Sequence, residues 1–140
     1  MTDTLTIALA QINTTVGDID GNLDRIHAAR AGAATGGADL VVTGELASSG
    51  YPPEDLVLKR AFQDTIEAGV RALAAETADG GPGLLIGTPW RDEGKLYNAA
   101  VLLDGGDITA VRFKHELPNY GAFDEKRVFA QGPLPGPMAF

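Results

Sequence analysis

At 140 residues with 44% hydrophobic content, the chain is sized for one compact domain with a single apolar core. A formal charge of −8 argues against a phosphate-tracking surface, so no nucleic-acid partner is expected. The absence of cysteine excludes disulfides, thiolate zinc sites and a thiol nucleophile within these residues, and two separated histidines do not make a metal site. Residues 1–4 carry no basic leader and no run approaches the roughly 20 apolar residues that span a bilayer, so a cytoplasmic chain with no membrane partner is expected. Without a secretory leader the sequon Asn13-Thr14-Thr15 has no consequence.

In chain order, Leu5 to Ala10 reads as a buried strand. After the turn Gly17 to Gly21, apolar Leu23, Ile26, Ala29, Ala33 and Ala34 recur at helical spacing, and Gly36-Gly37 stops the helix. Leu40-Val41-Val42 is a second buried strand, which completes a βαβ unit and predicts parallel pairing. Pro52-Pro53-Glu54-Asp55 suits a helix first turn, and the helical pattern runs on through Leu56, Phe62, Ile66, Val70 and Leu73 to Gly80-Gly81-Pro82. Leu84 to Ile86 is the next strand, Arg91 to Gly94 a polar break, and Leu96 to Leu103 another strand. Gly105-Gly106 turns this strand back into Ile108 to Phe113. Gly132 to Pro137 holds no regular element. The order is βαβαβββ, with two helices to cover about five strands. A parallel sheet is normally buried on both faces, so more chain or a second copy is expected on the far side.

Glu45 follows the second strand, at the carboxyl edge where open α/β sheets bind ligands. Tyr51 is held between Gly50 and Pro52, which stiffens the loop that carries it. Lys114 ends the last strand beside apolar neighbours and can serve as a partly desolvated donor, whereas His115 has no partner in the sequence and receives no role. Tyr120 and Phe123 lie in a loop and suggest a pocket wall, while Asp124 to Arg127 reads as an exposed helix start with local ion pairs. Gly80 to Gly83 precedes a strand and is punctuation instead of a phosphate loop.

The run Gly44 to Leu56, with Tyr51-Pro52-Pro53-Glu54-Asp55-Leu56, resembles the glutamate motif of nitrilase-superfamily (carbon-nitrogen hydrolase) amidases in the form used by glutamine-dependent NAD synthetases. Leu85 to Pro89 and Leu96 to Ala100 look like the superfamily's central strands, and Lys114 to Arg127 resembles its lysine motif. The resemblance implies an α/β fold, the N-terminal half of a nitrilase-type α-β-β-α sandwich, spanning residues 1–140 with no second domain. It implies a Glu-Lys-Cys triad with Glu45 as general base, Lys114 as oxyanion donor, and Tyr120 and Tyr51 lining the pocket for L-glutamine, Tyr120 the firmer. By the same resemblance the thiol lies beyond Phe140, and the chain alone is expected to be inactive. Ammonia would pass to a separate synthetase domain that uses ATP and Mg to amidate nicotinate adenine dinucleotide; no cofactor is expected in this part, and a homo-oligomer is. Gly44 stands where the family usually has proline, which loosens the backbone before Glu45. Two alternatives stay open: another amidase or nitrile hydrolase of the superfamily, and a truncated, non-catalytic binding domain.

Overall fold

The computed structural model describes residues 4–139; Met1 to Asp3, part of the leader reading, and Phe140 lie outside them. The elements are β1 (Ile7–Ala10), α1 (Ile19–Thr35), β2 (Leu40–Thr43), α2 (Arg60–Glu76), β3 (Gly83–Asp92), β4 (Lys95–Asp104) and β5 (Asp107–Phe113). Single 3-10 turns occupy Glu54–Leu58, Thr77–Asp79 and Glu125–Arg127. The strands lie in the order β1-β2-β3-β4-β5. β1, β2 and β3 pair in parallel, β4 and β5 antiparallel, so the sheet is mixed. Two tight hairpins account for the change of direction. Glu93-Gly94 and Gly105-Gly106 all have positive φ, the geometry of two-residue turns that match strand twist.

Because side chains alternate along a strand, the register sorts them onto two faces. Val41, Leu84, Ile86, Val101 and Leu103 point one way and meet Ile19 and Ile26 of α1 and Ile66, Val70 and Leu73 of α2 in one continuous core. Fully burying each large aliphatic there contributes about 1.5–3 kcal/mol. Ile7, Leu9, Val42 and Leu85 point the other way, where no helix among the described residues packs; Leu9 is 75% exposed. A smaller cluster of Leu46, Val57, Leu117 and Phe129 lies under the loops at the carboxyl end of β2.

Three expectations are corrected. The fully buried stripe of α1 is Ile19, Asn22, Ile26 and Arg30, while the expected Leu23 and Ala33 pack against the core only partly buried, so two polar residues lie deeper than most of the apolar ones expected. Both are satisfied: Asn22 donates to Thr15 O (2.8 Å) and Ser48 O (3.3 Å), and Arg30 donates to Pro82 O and to both Asp79 oxygens. Pro52-Pro53-Glu54-Asp55 opens a 3-10 turn instead of a long helix, since extended Lys59 interrupts the chain before α2 begins at Arg60. The polar break at Arg91 and Asp92 is strand: Arg91 donates to Asp64 and Glu67 of α2, so its charge is paired at the sheet's rim.

Candidate active site

Glu45 lies two residues past β2, on a loop that the structure buries and pins. Ser48 and Ser49 are wholly enclosed; Ser48 Oγ bonds Thr88 Oγ1 (2.7 Å), and Ser49 O accepts from Gly17 N (3.0 Å). The loop crosses β3 at Gly87, where a Cβ would overlap Gly44 O and lie 2.6 Å from Leu46 N and 2.9 Å from Glu45 Cα. Only glycine admits so close a crossing. Leu46, next to Glu45, holds a left-handed φ of 52° while its side chain is buried among Val57, Leu117 and Phe129. That conformation costs a bulky residue on the order of 1–3 kcal/mol, offset by packing. Gly44 faces open space, so the glycine imposes no packing demand of its own.

Lys114 follows β5, its backbone N–H donating to Asn98 O of β4 (2.8 Å). Its Nζ donates to Glu45 Oε1 (2.8 Å) across 69 residues of sequence, and to Glu125 Oε2 (3.0 Å) and Oε1 (3.2 Å). The two strand ends therefore place Glu45 and Lys114 on one sheet edge, in direct contact. Burial opposes the ammonium, but hydrogen bonds to Glu45 and Glu125 outweigh it, and the Lys114 pKa stands above the ordinary lysine value. Tyr51 is raised too, first by burial and then by the negative fields of Glu45 and Glu125.

Two residues of this cluster were missed in the sequence. Glu125 belongs to the segment read as an exposed helix start, yet its side chain is only 10% exposed and turns inward to Lys114. Asn98 donates to Glu45 Oε1 (2.7 Å) and Glu125 Oε1 (2.8 Å). A polar residue inside the apolar run Leu96 to Leu103 was the available signal. Of the neighbours, only Arg127 keeps the exposed ion pairs expected there, and it reaches across to Asp55 and Glu54 as well as Asp124.

A cleft of about 410 Å³ opens on the bare sheet face, lined by Glu45, Gly87, Asn98, Arg112 and Lys114 among others. A narrower cavity of about 200 Å³ lies on the other side of the cluster, with Tyr51, Pro52, Phe123, Glu125 and Phe129 in its wall. The ionic cluster separates the two. Tyr120 was expected beside Tyr51 and is not there: it is 72% exposed, borders a separate pocket with Pro118 and Lys126, and meets the Tyr51 cavity through an edge-on contact with Phe123. Pro118 and Gly121 turn the loop so that Phe123, not Tyr120, faces inward. His115 donates from its ring to Gly132 O (2.7 Å), a structural tie between β5 and the proline-rich tail.

A paired carboxylate and ammonium on a strand edge, beside a cleft, can take a proton from an incoming nucleophile and steady an anion formed nearby. Comparison with known proteins fits this chemistry. The carbon-nitrogen hydrolase family matches residues 6–139. A glutamine-dependent NAD(+) synthetase of Rhodobacter capsulatus is 45% identical over 138 residues, 99% of this chain and 25% of that protein. Among solved structures, the glutamine-dependent NAD+ synthetase of Acinetobacter baumannii superposes with a TM-score of 0.86 at 34% identity, over 91% of this chain and 24% of the other. An amidase from Nesterenkonia sp. gives a TM-score of 0.79 at 30% identity, over 97% and 51%. The chain thus spans about a quarter of the length of the curated relatives it matches, and with its glutamate and lysine converging on one edge of a mixed α/β sheet it belongs to the carbon-nitrogen hydrolase family.

Proposed function

We propose that this chain is the glutamate- and lysine-bearing part of a glutamine amidase that supplies ammonia for ATP-dependent amidation of nicotinate adenine dinucleotide. The observation that carries the reading is the 2.8 Å contact between Lys114 Nζ and Glu45 Oε1 at the edge of the cleft. In this reading a cysteine thiol from outside these residues gives its proton to Glu45 and attacks the side-chain carboxamide carbon of glutamine. The tetrahedral oxyanion is met by the Lys114 ammonium, and the amide nitrogen takes back the proton from Glu45 and leaves as ammonia. Water, deprotonated by the same carboxylate, then cleaves the thioester to glutamate. A fixed carboxylate matters because a free thiol is only slightly ionised at neutral pH.

Tyr51 and Phe123 stand nearest the cluster and are the aromatic candidates for the substrate wall; Tyr120 supports that wall from outside through Phe123. ATP and Mg belong to the synthetase step and act in a separate domain, and the amidase step itself calls for no cofactor. The surroundings are those of the cytoplasm, and no helix among the described residues is long and apolar enough to cross a membrane.

The test uses an enzyme in which this segment is joined to a thiol-bearing amidase half and a synthetase. Lys114→Ala is expected to abolish NAD formation from glutamine and to spare formation from ammonium salts; equal loss with both nitrogen sources overturns the reading. The Nesterenkonia neighbour favours a second reading, an amidase acting on other amides. Ammonia release from small aliphatic amides, with none from glutamine, would select it.

A further inference from the structure

Asn98 touches all three charged members of the site. Its main-chain carbonyl accepts from the Lys114 main-chain N–H (2.8 Å), and its side-chain amide nitrogen donates one hydrogen to Glu45 Oε1 (2.7 Å) and the other to Glu125 Oε1 (2.8 Å). Only the NH₂ end of an amide can face two carboxylates, so its orientation is set by its partners. The side chain lies on the cleft face of β4 in register with Pro89, and the residue is buried, so its hydrogens have no comparable partner in water. Lys114 closes a ring by bonding both carboxylates. Three of the four carboxylate oxygens therefore accept from Asn98 or Lys114, and Glu45 Oε1 accepts from both. Among the described residues, Glu45 Oε2 accepts from none.

We propose that Asn98 is a positioning residue that makes the two oxygens of Glu45 unequal, locking Oε1 against Lys114 and leaving Oε2 as the single proton acceptor presented to the cleft. Its second hydrogen holds Glu125 against Lys114, where that carboxylate helps retain the ammonium. An aspartate at this position would bring a third carboxylate to one ammonium. A leucine would leave two carboxylates to share that ammonium, free to rotate and exchange oxygens. The role given to Oε2 rests on the amidase reading; the bridge does not.

Two measurements separate them. In proton–nitrogen NMR spectra of the 140-residue chain, the Asn98 side-chain amide should show two resolved, slowly exchanging hydrogens. Glu45→Gln should move one of them and Glu125→Gln the other. A solvent-like pair indifferent to both substitutions overturns the bridge, whether or not the amidase reading stands. In the thiol-bearing enzyme, Asn98→Leu should lower kcat for glutamine on the order of a hundredfold with KM little changed, the signature of a misplaced reacting group. Asn98→Ser, with one donor, should recover part of that loss. Unchanged kcat with a raised KM overturns the positioning role. Absence of glutamine turnover in the unsubstituted enzyme would sink the amidase reading while leaving the spectral test of the bridge intact. Should Asn98→Leu fail to fold, the two glutamate variants decide alone.

Discussion

The two faces of the sheet are made by the same strands and have opposite fates. The face under α1 and α2 is closed, with Val41, Leu84, Ile86, Val101 and Leu103 at or near zero exposure. On the opposite face Ile7 and Leu9 are exposed, and at its carboxyl edge stand Asn98, Lys114 and Glu45. Alternation along β3 and β4 thus divides labour within a single strand: one residue closes the core and the next borders the cleft. Stability should follow the closed face and chemistry the open one, so that a substitution on one face leaves the other's property intact.

The largest expected effect on stability tests the closed face. Ile66→Ala removes a buried side chain between α2 and the sheet and should cost about 2–5 kcal/mol in chemical denaturation. A loss below about 0.5 kcal/mol, the range of a surface change, would mean that the core is not the continuous unit described.

At the join of the two faces, Gly87→Ala puts a methyl group against the backbone of Gly44 to Leu46. It should displace Glu45 and lower turnover in the thiol-bearing enzyme on the order of a hundredfold, while leaving the β3–β4 amides protected in hydrogen exchange. Full turnover in this variant would show that the close crossing does not place the base.

A third comparison is set by pH. The Arg30 guanidinium, then the Gly81 N–H, hold the Asp79 carboxyl down at about 2, below its ordinary 3.8. A carboxyl depressed by folding adds stability above its unfolded pKa and loses it as pH falls toward the folded value, so this contribution fades from about pH 4 to about pH 2. Arg30→Met should flatten that part of the stability–pH curve. It should leave the Lys114 contacts, on the other face, undisturbed in spectra at neutral pH. An unchanged acid limb would remove Asp79 from the account.

The smallest expected effect on folding tests the open face. Bare apolar strands promote association. If the chain self-associates through this face, Leu9→Lys should shift light scattering toward the monomer, and it should change unfolding free energy by less than about 0.5 kcal/mol. Undiminished association would mean that another surface drives it.

How far the sequence spoke depended on whether a residue's role was local. The periodic runs in β2, α2 and β4, and the Gly105-Gly106 turn, were legible because spacing and φ preference act over a few residues; β1 was legible as a strand but not as the buried one expected, since Leu5, Ile7 and Leu9 are exposed on the face that no described helix covers. Arg91 read as part of a break because its ion partners, Asp64 and Glu67, lie on α2, invisible to a local pattern. The α1 stripe was displaced for the same reason, since Asn22 and Arg30 are buried only by virtue of distant partners. Glu45 and Lys114 stood out by their place at strand ends. Glu125 did not, because nothing in the spacing of Asp124 to Arg127 says which acid turns inward. The resemblance pointed to Tyr120 and gave Phe123 no substrate role, because a local pattern does not show which aromatic the turn at Gly121 carries to the cavity; Phe123 lines it and Tyr120 does not.

The central claim is that Glu45, held by Lys114 and Asn98, is the group that takes the thiol's proton. The most direct measurement is ammonia release from glutamine by Glu45→Gln in the thiol-bearing enzyme, followed alongside alkylation of the thiol. The substitution keeps the shape of the side chain and removes its charge. Release should fall by two or more orders of magnitude, roughly the contribution of a positioned general base, and alkylation at neutral pH should slow with it. Undiminished ammonia release at full folded stability would contradict the account.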